Sequence, residues 1–488
     1  MSANPLAPDW LALPVDANDL PTSVWPAHVE RSASGELVFG GVTASALAAE
    51  FGTPLFVMDE WDVRDRAASA RAAFDREFSR IGTTAKVYYA AKAFLSAEVA
   101  RWVDEAGLYI DICSGGELAV ALAAGIDPAR LGFHGNNKSV AEIERAVDVG
   151  LGVIVIDSLI EIGRVADAAA RAGRVQKVRL RTNSGVHAHT HEYLATARED
   201  QKFGIALDDV VAAVADIRSH DSLEFLGLHA HIGSQIFEPD GFVESARRLL
   251  SVQAELLTTG PVPELNLGGG FGIAYTAAEH ALPIEQIAVA LADIVAAECA
   301  RLGIAVPVVA VEPGRSIIGP STVTLYEVGT IKDVQVSGVG SSDAAVGGVD
   351  PVYRKYVSVD GGMSDNARPA LYEADYTARL ASRVSDAAPA LVRVAGKHCE
   401  SGDIVVRADY LPGDVAAGDL LAVAATGAYC WSLSSNYNYL GRPAVVAVRD
   451  GAARVIVRGE TEADLLARDA GISTAALHGG AASTNGAR

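Results

Sequence analysis

Residues 87–93 read VYYAAKA, an apolar strand that ends on one lysine, Lys92. A lysine at the end of a buried strand must pair its ammonium, turn it into a cleft or use it as an amine nucleophile. Taken alone, Lys92 reads as an ordinary lysine at a strand end. Its surroundings argue against that. Eight apolar runs follow one another with helical segments between most of them: KVYYAAK (86–92), LYIDICS (108–114), LGFHGNN (131–137), VIVIDS (153–158), KVRLRTN (177–183), FLGLHAHIGS (225–234), ELNLGGGF (264–271) and VPVVAVEPGR (306–315). Three helices open on a capping-box pattern, Ser114/Glu117, Ser139/Glu142 and Ser158/Glu161. Near-continuous Val/Ile/Leu strands alternating with helices imply a parallel sheet covered by helices. Eight units over about 230 residues fit a TIM-type (β/α)8 barrel better than an open sheet.

The polar residues fall where such a fold uses them. Lys92, Asp111, His134, Asp157, Arg181, His231, Gly268–Gly270 and Glu312 all lie at or near the carboxyl ends of their strands. In a barrel those ends share one face, so the eight positions collapse into a single pocket.

Outward from the barrel the texture changes. Residues 1–24 are rich in Pro, Asp and Asn and read as loose, residues 28–41 as a hairpin turning at Ser-Gly, VTASALAAEFG as a helix and PLFVMDE as a strand. After Pro320, strand-like runs joined by Gly, Pro and Asp turns describe a mainly antiparallel β domain, which the hairpin is expected to join. The expected organisation is an N-terminal segment 1–50 contributing to the β domain, a barrel at 51–318, the C-terminal β domain at 319–470 and a disordered tail at 471–488, with a low-complexity loop at 338–348.

The formal charge of −21 and a pI near 4.9 argue against nucleic acid or an anionic membrane as partner. The four cysteines have no metal spacing and suggest no disulfide framework. MSANPLAPDW lacks a basic start followed by an apolar run, and no stretch is long enough to span a bilayer, so a cytoplasmic protein is expected.

The run NLGGGFG (266–272) can wrap an anion, phosphate being usual in barrel loops near the seventh and eighth strands; tight packing explains such a run equally well. The next strand ends in EPGR, which brings Glu312 and Arg315 beside it, and Ser234 adds a hydroxyl. The pair His229 and His231 invites a zinc reading, and His187, His189 and His191 form a second cluster whose role stays open. Yet a lysine, a phosphate cradle, a carboxylate and a flat imidazole at one barrel mouth suit pyridoxal 5′-phosphate.

YYAAKA, DICSGGEL, HGNNKS, GLHAHIGSQ, NLGGGFG, EPGR, GKHCESGD and GAYCWSLSSNYN resemble, in order and spacing, the barrel-type (fold type III) pyridoxal-phosphate decarboxylases, over roughly residues 25–465. HTHEYLATAREDQKFG (189–204), GGMSDNARPALYEA (361–374) and CESGD (399–403) resemble the branch that converts meso-2,6-diaminopimelate to L-lysine and carbon dioxide. The resemblance implies pyridoxal 5′-phosphate as cofactor, with Lys92 as its attachment point, His231 stacked on its ring, Asp111 orienting the site and Glu312 paired with the pyridine nitrogen. It implies Ser234, Gly269, Gly270, Gly314, Arg315 and Tyr429 around the phosphate, and Arg315, Arg368, Tyr372, Glu400 and Tyr429 around the substrate. It further implies a homodimer in which Cys399 and Glu400 enter the partner's site, Cys399 as proton donor and Glu400 as ligand of the distal amine. No resident metal is expected.

A decarboxylase of ornithine, arginine or lysine on the same fold is the nearest alternative. It has no distal carboxylate to hold, so Arg368 would lack a purpose there. A racemase fits less well, because Glu312 suits a full electron sink. Arg368 as a surface arginine and Cys399 as a buried small hydrophobe are the plain alternatives, and a catalytically dead cofactor-binding relative is the one from another class.

Overall fold

The computed structural model describes residues 4–186, 202–336 and 352–472. His187, His189 and His191, the loop at 338–348 and nearly all of the tail lie outside the described residues. The chain divides into two units: Asp62–Ala274 with Glu279–Gly319, and Met1–Trp61 with Tyr275–Ala278 and Pro320–Arg488.

The first unit is a closed barrel. Its strands are β1 (Ala85–Ala90), β2 (Tyr109–Ile112), β3 (Leu131–Phe133), β4 (Val153–Ile156), β5 (Gln176–Asn183), β6 (Leu223–His229), β7 (Glu264–Asn266) and β8 (Val308–Val311). Each pairs in parallel with its neighbour in sequence, β1 pairs with β8, and so the ring has no free edge. The strands are shorter than the apolar runs, because the polar tails of those runs leave the sheet and form the turns at its carboxyl end. Val178 and Leu180 on β5 are fully buried, and so, unusually, is the Arg179 between them. Arg179 donates through Nε (3.1 Å) and Nη2 (2.6 Å) to Glu264 Oε2 and through Nη2 to the Tyr88 hydroxyl (3.1 Å); Lys86 reaches the other oxygen of Glu264 at 2.5 Å. This ionic layer lies inside the barrel, one inward position below the mouth.

The capping patterns resolve three ways. Ser139 and Glu142 make the full reciprocal box. Ser114 accepts from the Glu117 N–H, but the Glu117 carboxylate turns to the Cys113 N–H instead. Ser158 makes no cap bond: Glu161 is drawn to the buried Lys138 ammonium (2.7 Å) and to the Asp157 N–H (2.8 Å). A buried ammonium outbids a backbone cap.

The second unit holds a mixed sheet. Its longest strand, Thr322–Val336, pairs antiparallel with Leu55–Asp59, Leu420–Val423 and Val352–Val359. Two pairings are parallel, Val352–Val359 with Pro389–Ala395 and Ala444–Arg449 with Leu55–Asp59. The strand Leu55–Asp59 therefore belongs to this sheet by pairing, although the reading of 51–318 as barrel assigned it elsewhere. All five of its residues are buried, the same signature as a barrel strand, and periodicity cannot tell the two apart. The hairpin Val29–Arg31/Leu37–Phe39 joins with Val42–Thr43 in a separate three-stranded sheet within the same unit.

Candidate active site

β1 ends at Ala90 and the chain enters a single 3₁₀ turn, Ala91–Ala93. Ala91 and Ala93 are buried while Lys92 between them is exposed. The Tyr89 hydroxyl donates to the Phe94 carbonyl (2.6 Å) across the turn, and the Ala90 N–H donates to the Pro313 carbonyl (3.1 Å). A Cβ on Gly314 would lie 2.9 Å from the Ala90 Cβ and carbonyl oxygen, so glycine is what lets the EPGR turn press against the lysine turn.

Glu312 follows β8 and is buried. Its Oε1 accepts from Asn266 Nδ2 (2.7 Å) and lies 3.0 Å from His229 Nε2 and 3.6 Å from His134 Nε2. His134 Nε2 is also 3.0 Å from Asp111 Oδ1. A Cβ on Gly132 would sit 2.7 Å from that same oxygen, which explains the glycine in LGF. Neither oxygen of Asp111 and neither ring nitrogen of His229 has a partner in hydrogen-bonding geometry among the described residues.

These buried groups divide their charge. Burial brings the His134 and His229 imidazoles down to about 4, so both are neutral near pH 7. Burial, and then the charge of Glu312, pushes the Asp111 carboxyl well above its ordinary range. Burial alone would raise Glu312 too, but His229 and His134 beside it hold it well below. The two neighbouring carboxyls are thus pushed in opposite directions, Glu312 down and Asp111 up.

His231 is half-buried, and burial together with the Lys92 ammonium lowers it well below its usual value. Its Nδ1 accepts from the Gly269 N–H (3.3 Å), which fixes the plane of the ring. The Gly268 N–H goes to Asn266 Oδ1 (2.8 Å), so the glycine turn uses two N–H groups internally; the Gly270 N–H has no partner among the described residues. Cβ atoms on Gly268, Gly269 and Gly270 would meet the backbone oxygens of Ala230, Glu312 and Gly233 at 2.4, 1.9 and 2.2 Å. Tight packing thus accounts for all three glycines. Beside them Arg315 Nη2 donates to the exposed Ser234 Oγ (2.9 Å).

His134, His229 and Glu312 present ligand atoms within 4.8 Å of one another, a spacing a metal ion also uses. The HAH pair is nevertheless split: His229 faces Glu312 and His231 faces the glycine turn.

The other expected residues lie in the second unit. Arg368 opens the short helix Arg368–Tyr372 and is buried, with its guanidinium 4.4 Å over the Tyr275 ring and Nη1 donating to the Tyr376 hydroxyl (2.5 Å). It is no surface arginine. Tyr372 is exposed, and Tyr429 is half-buried with a positive φ of 68°. Cys399 and Glu400 are exposed on a turn built around Asp403, whose two oxygens accept from the Met363 N–H (2.6 Å) and the His398 N–H (2.7 Å). Asn438 accepts from the Cys399 N–H (3.3 Å). Cys399 is thus not the buried small hydrophobe of the plain alternative.

A family model described as the pyridoxal-dependent decarboxylase, pyridoxal binding domain, matches residues 62–319. A diaminopimelate decarboxylase of Mycobacterium tuberculosis (strain H37Rv) is 50% identical over 455 residues, covering 92% of this chain and 98% of its own. The chain belongs to the diaminopimelate decarboxylase family. The Bacillus subtilis member is 42% identical over 439 residues, covering 89% of this chain and 95% of its own. The crystal structure of the M. jannaschii member in co-complex with L-lysine superposes with a TM-score of 0.82 at 30% identity, over 93% of this chain and 99% of that one.

Residues that sequence reasoning left without a role are Asn266, which bridges Glu312 and the glycine turn, and Tyr275 and Tyr376 around Arg368. Asn266 stands two positions before Gly268, the first of the three glycines, which was the available signal. Nothing local marks Tyr275, whose partner is distant in sequence, and no pattern pairs Tyr376 with the Arg368 eight positions before it.

Proposed function

We infer that this protein decarboxylates meso-2,6-diaminopimelate to L-lysine and carbon dioxide with pyridoxal 5′-phosphate as cofactor. The observation that carries the reading is the set of groups at the barrel mouth. An exposed amine on a rigid turn, a ring fixed by the glycine turn and an ionised buried carboxylate come together in a chain half identical to diaminopimelate decarboxylases.

These residues fit the cofactor. Lys92 would attach its aldehyde, and His231 would lie along its ring. Glu312 would face the pyridine nitrogen, and Asp111, with its unmatched oxygens, would orient the group. Ser234, Gly269, Gly270, Gly314 and Arg315 would surround the phosphate, with the free Gly270 N–H as one donor. The bound cofactor supplies an electron sink for the bond to the departing carboxylate. The protein's share is to hold Glu312 ionised, to keep His134 and His229 neutral and to offer Lys92 Nζ as amine and proton carrier.

For the second unit the reading carries over what the resemblance implies. Arg368 and Tyr372, with Arg315, bind the distal carboxylate and Glu400 binds the distal amine. Cys399 Sγ delivers the proton that replaces the lost carboxylate, and Tyr429 assists at the phosphate. Cys399 and Glu400 come from the partner subunit of a homodimer, and their exposure supports such a role. Four free thiols suit a reducing compartment, and we place the enzyme in the cytoplasm. No helix among the described residues is long and apolar enough to cross a membrane.

The test is a substrate panel on the cofactor-loaded protein, with carbon dioxide and amine products assayed. Meso-diaminopimelate should yield equal amounts of carbon dioxide and L-lysine, with ornithine, arginine and lysine inert. Turnover of ornithine or lysine in preference would overturn the substrate assignment.

A further inference from the structure

All three side-chain neighbours of the Glu312 carboxylate bear on one oxygen. Asn266 donates to Oε1, His229 Nε2 lies 3.0 Å from it and His134 Nε2 3.6 Å. No contact described above uses Oε2. Asn266 is itself held, because its Oδ1 accepts from the Gly268 N–H (2.8 Å). His229 is 1% exposed and stands edge-on to His134, with ring centroids 5.0 Å apart. The cluster is therefore built from β6, β7 and the residues that directly follow β3 and β8, at the ends of four separate strands of the barrel.

We propose that His229, with Asn266 and His134, is a positioning residue: Asn266 holds Glu312 Oε1 by a hydrogen bond, the two imidazoles crowd that same oxygen, and Oε2, with its charge, is thereby left to face the ring nitrogen of the cofactor. The inference rests on the reading of Glu312 as the partner of that nitrogen. Its physical content is directional. A buried carboxylate free to rotate offers either oxygen, whereas one pinned at Oε1 offers a single acceptor in a fixed plane. The neutral state of both imidazoles fits this arrangement, since a neutral His229 ring 3.0 Å from Oε1 fills the space on that side without cancelling the charge that Oε2 presents.

The experiment compares two probes on the full chain stripped of cofactor: pyridoxal 5′-phosphate and its 1-deaza analogue, in which carbon replaces the ring nitrogen. Binding is read by absorbance and fluorescence titration, and folding by circular dichroism. Wild type should prefer the nitrogen-bearing probe. His229→Leu, which takes away the polar atom 3.0 Å from Oε1, should lose affinity for it roughly tenfold, the size of one polar contact to a charged group, with little change for the deaza analogue. His229→Gln, which keeps an Nε2 donor, should recover most of the preference. If His229→Leu does not fold, Asn266→Ala carries the same comparison. Equal weakening of both probes would make the cluster merely structural, and no weakening of either would leave His229 without a positioning role; each overturns the proposal. Glu312→Gln separates the two levels: if it binds both probes as wild type does, the assignment of Glu312 to the ring nitrogen is wrong, and the proposal falls for that reason rather than through His229.

Discussion

The ionic layer inside the barrel makes a sharp test of how this fold is held. Replacing Glu264 by Ala removes both acceptor contacts of the fully buried Arg179, at 3.1 and 2.6 Å, and leaves the guanidinium with the Tyr88 hydroxyl alone. Lys86 is about a third exposed and can turn to solvent, so the loss falls on Arg179. Stranding one member of a buried pair costs about 3–5 kcal/mol. At roughly 2–4 °C per kcal/mol for a domain of this size, the melting temperature should drop by about 6–20 °C. The carboxyl of Glu264 is held below its usual range, burial opposing and Arg179 winning, so this stability is present near neutral pH and fades as the pH falls through the carboxylate range. The assay is urea unfolding of Glu264→Ala, Arg179→Met and the double variant Arg179→Met/Glu264→Leu. Removing both charges together should recover most of the loss, since an apolar pair of similar volume is often neutral. A single variant within about 1 kcal/mol of wild type, or a double variant that loses the sum of the singles, would refute the claim that an uncompensated buried charge sets the penalty.

Three further outcomes follow from the geometry. Gly269→Ala places a Cβ 1.9 Å from the Glu312 carbonyl oxygen, so it should cost at least 1–3 kcal/mol, as overpacking typically does, and weaken cofactor binding; Gly163→Ala, with no atom within 4 Å of the added Cβ, is the neutral control by thermal melting and titration. Urea midpoints of the cofactor-free protein should fall as pH drops from about 6.5 to about 4, because His134 and His229 stay neutral in the fold while the unfolded chain takes up their protons, roughly 3 kcal/mol each at most. Asp111, raised rather than lowered, opposes them, so the fall should be steeper in Asp111→Asn, and a midpoint that rises on acidification in that variant would contradict the neutral state of the two imidazoles. Mixing Lys92→Ala with Cys399→Ala subunits should restore about a quarter of wild-type sites if Cys399 acts in the partner's site, by random pairing of two inactive parents; no recovery despite proven subunit exchange speaks against sharing.

The barrel was legible because each strand run ends in a polar residue, and a closed parallel sheet gathers such ends on one face. Lys92, His231 and Glu312 could be placed at the mouth on that argument alone. What periodicity does not carry is the identity of a strand's partner, and Leu55–Asp59, apolar throughout, reads like a barrel strand although it pairs with Thr322–Val336 and Ala444–Arg449. Long-range side-chain contacts were equally hidden. Arg179 and Arg181 alternate along β5, which marks an inward face, but only the fold shows that Arg179 meets Glu264 and Tyr88. Glu161 reads as a capping residue until Lys138, 23 positions away, claims it. The split of the HAH pair between Glu312 and the glycine turn follows from the end of β6, where the backbone leaves the sheet and the alternation of faces stops.

The most direct test of the account is to reduce the cofactor-loaded protein with borohydride and map the pyridoxyl-labelled peptide by mass spectrometry. The label should fall on the peptide containing Lys92, and Lys92→Ala should carry none while remaining folded. A label on another lysine, or none on loaded wild type, would contradict the claim that the end of β1 carries the chemistry.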